Sequence, residues 1–191
     1  EADFGSVIAE LHTASESSDV EILLLDPESY FVPDWREELG RHGERLEQKI
    51  AALAQAISAF AARSGTPLLI NTLPAASSPA LGHVDRSHAG GAAFVTDRVN
   101  RTLAEIAASN ASVHLVDSDA ALAEIAPAGR GDSKLWYYGR IAYSDAATRY
   151  LALGFAQAWQ SRQRGPVKVV ALDLDNTLWG GVYGDDGLEK L

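Results

Sequence analysis

The sequence predicts an α/β fold: a three-layer arrangement of one parallel sheet with helices on both faces, followed by the first strand of a second α/β domain. Two observations predict it. Short apolar runs end at Leu25, Ile70, Val116 and Leu172, and stretches with helical periodicity alternate with them along the chain. The runs are continuous rather than alternating in polarity, which is the pattern of strands covered on both faces. Strands and helices in this order call for right-handed crossovers between parallel strands.

Phe4, Val7, Ile8 and Leu11 fall on one helical stripe. Val20 to Leu25 then reads as a buried strand, stopped by Asp26-Pro27. Asp26 stands at that strand's carboxyl end, where it either lines a site or caps the turn. Leu46, Ile50, Leu53, Ile57 and Phe60 repeat at helical spacing with the charged residues mostly off the stripe, so a long helix buries one face here. Gly65 is its expected stop. Pro67 to Ile70 is the next strand and runs into Asn71.

Residues 72–91 are rich in Pro, Ser and Gly and hold His83, Asp85, Arg86 and His88. A loop this long is a lid, a binding loop or a disordered segment. His83, Asp85 and His88 lack the fixed spacing of strong metal signatures, which leaves a mobile loop as the default reading. Val95, Val99, Leu103 and Ile106 resume the helical period, and Val113 to Val116 is a short strand ending at Asp117. A helical turn at 120–125 and a polar loop at 129–133 precede an amphipathic helix from Tyr143 to Trp159, with Ser144-Asp145 as its capping pair. The expected domains are 1–160, N-terminally incomplete, a linker at 161–166, and the truncated start of a second domain at 167–191.

The chain is 47% hydrophobic and 22% charged, an ordinary globular composition. No apolar run approaches the roughly 20 residues of a membrane helix, and the polar, acidic N-terminus carries no secretory signal. There is no Cys, which excludes a disulfide framework and a thiolate site. The cytoplasm is the compartment these features suit. A net charge of −10 argues against nucleic-acid binding. The charge is uneven, however: between Arg130 and Lys168 seven basic residues face two acidic ones, Asp132 and Asp145. Such a stretch either receives an acidic partner or a phosphate, around Arg140 and Arg149, or is a solvated helix face.

The chemistry concentrates between Val169 and Gly181. Two carboxylates, Asp173 and Asp175, end an apolar run, and Leu174 between them points to the opposite face of an extended chain. Both acids can therefore face the space beyond a strand end, where open α/β sheets bind ligands. A carboxylate can attack a phosphoryl group and hold it as an aspartyl phosphate. The phosphoryl centre is anionic, so the attack needs a bound Mg²⁺ to cancel charge and align oxygens. In this chemistry Asp173 is the nucleophile and a metal ligand. Asp175 is the general acid and base and a second ligand. Thr177 fixes the substrate loop through its hydroxyl, and Gly180-Gly181 permits a turn. The plain alternative is a pair of loop acids capping a strand end. The apolar run before them and Thr-Leu-Trp-Gly-Gly after them favour the site.

Asp173-Leu174-Asp175-Asn176-Thr177 resembles the first motif of the haloacid dehalogenase (HAD) superfamily. The longer string from Leu172 to Leu188, LDLDNTLWGGVYGDDGL, resembles more narrowly the FkbH-like subfamily, whose HAD domain follows an SGNH-hydrolase-like domain. The resemblance implies an enzyme that takes a glyceryl unit from 1,3-bisphosphoglycerate, removes phosphate and loads the unit onto an acyl carrier protein for polyketide assembly. It also implies that a Ser or Thr, a Lys and a further acidic ligand come from later strands, so these 191 residues alone are expected to be inactive as a phosphatase.

An SGNH esterase needs a Ser nucleophile after its first strand and a His before its last helix. By alignment to that family, Gly139 and Ala142 occupy the places of its catalytic Asp and His, and neither accepts a proton. The upstream domain therefore reads as a catalytically retired hydrolase fold. Asn71 either binds an oxyanion or satisfies backbone groups at the sheet edge. A non-catalytic SGNH-like module that binds an acyl carrier protein is the alternative function, and a GDSL-type esterase a third.

Overall fold

The computed structural model describes residues 4–13, 18–26, 31, 39–76, 79, 81–164, 168–174, 176–178 and 180–181. The chain divides into two units, Glu1–Gln160 and Ser161–Leu191. Its elements run α1 (Phe4–Thr13), β1 (Glu21–Leu23), α2 (Leu39–Arg63), β2 (Leu68–Asn71), α3 (Ala92–Ser109), β3 (Val113–Val116), α4 (Ser118–Ala121), α5 (Ser133–Gly139) and α6 (Asp145–Arg164). The three strands form a parallel sheet in sequence order, with Glu21 opposite Leu68 and Leu68 opposite Val113.

Right-handed crossovers that keep stepping in one direction across a sheet place their helices on one face. The helices α2 and α3 connect β1 to β2 and β2 to β3. Both pack on the same face with α1, where Leu46, Ile57, Val99 and Leu103 share a core with Leu68 and Ile70. Side chains alternate along a strand, so Leu69 and Val116 face the other way and meet Phe155 of α6. Helices therefore lie on both faces of the sheet, as expected. All five members of the α2 stripe are buried, each contributing on the order of 1.5–3 kcal/mol. Among the described residues no helix is long and apolar enough to cross a membrane.

The run at Val20 to Leu25 departs from expectation. Among the described residues β1 is an edge strand, and Ile22 and Leu24 are 55% and 43% exposed. An apolar groove of about 350 Å³ lies between them and Leu69, Phe155 and Trp159. Gly65 does not end α2 through a left-handed turn. Instead the Ser64 N–H donates to the Phe60 carbonyl, and the Ser64 Oγ accepts from the Thr66 N–H at 3.1 Å. The polar loop expected at 129–133 gives way at Ser133 to α5, capped by Asp132. Residues 161–164, expected in a linker, continue α6. The Ser144 Oγ caps that helix by accepting from the Ala147 N–H at 3.2 Å, as its sequence position suggested.

Two buried polar side chains shape the sheet's carboxyl edge. Asn71 is fully buried at the end of β2. Its Oδ1 accepts from the Leu25 N–H at 2.7 Å, and its Nδ2 donates to the Leu25 carbonyl at 2.8 Å, so the amide extends the ladder one step beyond β1. Nδ2 also lies 2.9 Å from the Thr72 carbonyl and 3.2 Å from the Ser118 Oγ. Asp85, in the segment expected to be a mobile loop, is buried too. Its carboxylate accepts from the Leu81 N–H at 3.1 Å and from the Ala93 N–H at 2.7 Å. It thereby caps α3, whose own N-cap residue, Gly91, has no side chain to do so. A Cβ on Gly91 would fall 1.8 Å from the Asp85 carbonyl oxygen, so only glycine allows this approach. Burial pushes the Asp85 carboxyl up. The N–H donors of Ala93, Leu81 and Ala92 and the Arg86 charge more than offset it and hold the group below its ordinary value of 3.8.

Asn71→Leu should destabilise the fold by about 3 kcal/mol, because the Leu25 N–H loses its partner while buried and the Leu25 carbonyl keeps only the Tyr143 hydroxyl. Urea unfolding checks this, and an unchanged midpoint would remove Asn71 from its role. A carboxylate whose folded pKa is lowered stabilises above its ordinary value and loses that contribution as pH falls through the folded one. Asp85→Ala should therefore cost about 1 kcal/mol near neutral pH. The gap to wild type should close below pH 3.8 and not above it.

Candidate functional site

The carboxyl edge of the first unit holds Asp26, Asn71 and Asp117, and Tyr143 reaches it through its hydroxyl. Asn71 does what the second of its two readings proposed. Its two Nδ2 hydrogens face three acceptors inside the protein, which leaves none for an oxyanion. Asp117 caps α4, accepting from the Asp119 and Ala120 N–H groups at 2.9 and 3.1 Å. The Tyr143 hydroxyl donates to the Leu25 carbonyl at 2.8 Å. Burial raises its pKa, and the negative charge of Asp26 raises it further, against an opposing hydrogen bond from Asn71. Tyr143 thus stays a neutral donor at working pH and is no general base.

Beside Tyr143, Ala142 is half-buried and Gly139 ends α5. None of the five His residues lies beyond His114. Arg140 closes α5 in the left-handed conformation, φ 54°, with its guanidinium 5.1 Å over the Trp136 ring. It makes no ion pair among the described residues. His83 and His88 are exposed and do not join Asp85 in a metal cluster, since its carboxylate is engaged by backbone N–H groups.

In the second unit, residues 168–174 are exposed, Val169 at 82%, and pair with no strand among the described residues. The expectation of a strand covered on both faces is therefore not met. A run becomes a strand only beside a neighbour that takes its N–H and C=O groups, and no described residue of this unit is in a strand. Asp173 is exposed, and Asp175 lies outside the described residues.

Beyond Leu174 the chain closes a turn. The Thr177 and Leu178 N–H groups donate to the Leu174 carbonyl at 3.3 and 3.0 Å. Asn176 adopts φ 54°, donates its N–H to the Gly181 carbonyl at 3.2 Å and accepts from the Gly181 N–H on Oδ1 at 3.0 Å. Gly181 has φ 99°, which glycine alone adopts freely. The loop that Thr177 was expected to fix by its hydroxyl is held by Asn176, and the Thr177 hydroxyl makes no hydrogen bond among the described residues. The signal for Asn176 was readable, since Asn is one of the few residues that accepts the left-handed region.

Asp173 offers hard oxygens of the kind Mg²⁺ takes, and Mg²⁺ sites in proteins use one or two carboxylates with waters completing the shell. The donor type fits that ion. No three of His, Asp or Glu come together as a metal site among the described residues.

No protein-family model matches the chain, and no curated protein matches it. Among solved structures it is similar to the N-terminal part of the protein BF1531 from Bacteroides fragilis, a crystal structure containing a phosphatase domain complexed with Mg. The TM-score is 0.53 at 14% identity, covering 98% of this chain and 64% of that one. The two share an α/β fold, and this chain spans 64% of the length of its neighbour.

Proposed function

We propose that the chain is part of a Mg²⁺-dependent, HAD-type phosphatase of the FkbH-like kind, preceded by an SGNH-like domain and working in the cytoplasm. Its parent would dephosphorylate 1,3-bisphosphoglycerate and load the glyceryl unit onto an acyl carrier protein in polyketide-type biosynthesis. One observation carries the reading. Asp173 is an exposed carboxylate at the head of a closed turn, in the string Asp-Leu-Asp-Asn-Thr. The fold likeness to a structure containing a phosphatase domain crystallised with Mg supports it.

In this mechanism a carboxylate oxygen of Asp173 attacks phosphorus, and the bond from phosphorus to the glyceryl oxygen breaks. The proton on Asp175 goes to that leaving oxygen. Asp175 then takes a proton from water as the water attacks the aspartyl phosphate, which releases inorganic phosphate and restores Asp173. Asp173 and Asp175 would hold Mg²⁺, which supplies neutralisation of the phosphoryl charge.

A second reading, a non-catalytic module that binds an acyl carrier protein, gains from the first unit. Gly139 and Ala142 accept no proton, and Asn71 and Tyr143 are engaged within the fold. The esterase reading has no general base to rest on.

In the protein carrying this segment with the rest of its phosphatase domain, Asp173→Asn should lower Mg²⁺-dependent phosphate release by about 10³-fold or more. Removing Mg²⁺ with a chelator should abolish the release. Full activity in Asp173→Asn would end the nucleophile assignment.

A further inference from the structure

Tyr137 and Tyr138 are 85% and 89% exposed, and Ile141 three residues on is 50% exposed. Exposed apolar groups that lie together, unlike single ones, are the kind of surface a partner can cover. These side chains are held in place. Asp132 caps α5, accepting from the Lys134 and Leu135 N–H groups. Arg140 ends the helix and stacks on the half-buried Trp136, and the two tyrosine rings meet edge to face at 6.1 Å. Tyr, Trp and Arg on a rigid support are the residues that dominate protein interfaces.

Lys134 lies three and four residues before the tyrosines, on the same side of α5. Lys134 and Arg140 make no ion pair among the described residues. In a chain of net charge −10 this face is positive, so an acidic partner repelled elsewhere is steered to it. Two free cations are too few for the row of phosphate contacts that holds a nucleic acid.

We propose that α5 and the turn to Ile141 form the docking surface for an acidic protein, with Tyr137, Tyr138 and Ile141 making the apolar contact and Lys134 and Arg140 meeting its carboxylates. This rests on the carrier-protein reading above and not on the Asp173 chemistry.

The test is binding of a purified acyl carrier protein to the whole chain by calorimetry, at several salt concentrations, with a single-stranded DNA oligonucleotide as the competing probe. The wild type should bind the carrier protein at low salt and more weakly as salt rises. The double variant Tyr137→Ala, Tyr138→Ala should bind about 10-fold or more weakly at every salt concentration. Lys134→Glu with Arg140→Glu should lose most of the salt dependence. All these side chains are exposed, and far-UV circular dichroism should report an unchanged fold. Wild-type affinity in the tyrosine variant would overturn the surface while the carrier-protein reading stands. No carrier binding by the wild type would end both, leaving the Asp173 assay unaffected. Tighter binding of the DNA, lost in the tyrosine variant, would assign the face to nucleic acid and overturn the proposal.

Discussion

The first unit depends on the buried amide of Asn71. Parallel strands end with N–H and C=O groups that have no further partner, and burying them unsatisfied is costly. Asn71 answers this for β1 by presenting one acceptor and one donor to Leu25, as a further residue of the ladder would. The Leu25 carbonyl then takes a second donor, Tyr143, from 118 positions along the chain, so both its lone pairs are used. The loop after β3 is tied to the same place, because Ser118 donates its hydroxyl to the Thr72 carbonyl at 2.5 Å and receives the Asn71 amide. One side chain therefore sets the relative positions of β1, the β2 exit and the β3 exit.

That arrangement decides what this edge can do. In an open α/β sheet the carboxyl ends of the strands are where a ligand usually sits. Here the groups that would greet a ligand already face one another. Asn71 has no N–H to offer, and Asp117 serves its own helix. Tyr143 is kept protonated by burial and by Asp26. Acyl transfer at this edge would need a proton acceptor next to a nucleophile, and Gly139 and Ala142 supply none.

Much of this was legible in the sequence where periodicity and burial coincide. The α2 stripe, the α3 stripe, β2 and β3 were placed because each buries the face its pattern declares. The misses share a different cause. An apolar run such as Val20 to Leu25 states a demand for cover without stating whether cover exists, and at a sheet edge Ile22 and Leu24 go partly uncovered. The helix α5 was not seen because its two tyrosines point to water and break the amphipathic stripe, although the Asp132 cap was readable. Asp85 resembled a loop acid because its partners are backbone N–H groups, that of Leu81 before it and that of Ala93 in a helix that starts seven residues later. Only Gly91, by permitting that approach, hinted at it.

The Asp173 turn separates two requirements that the sequence presents as one motif. Presenting a carboxylate at the head of a turn is a local matter. The Leu174 carbonyl, the Asn176 side chain and Gly181 achieve it within nine residues, through hydrogen bonds that need no sheet. Covering Val169, Val170 and Leu172 is a non-local matter, and their exposure shows that the run before the acids makes no ladder by itself. The reactivity of such a carboxylate toward phosphorus belongs to the second class, since cancelling the phosphoryl charge takes an ion and donors from outside the turn. Asp173 is placed by its own neighbours, and the nucleophile role proposed for it would need groups that the turn itself does not carry.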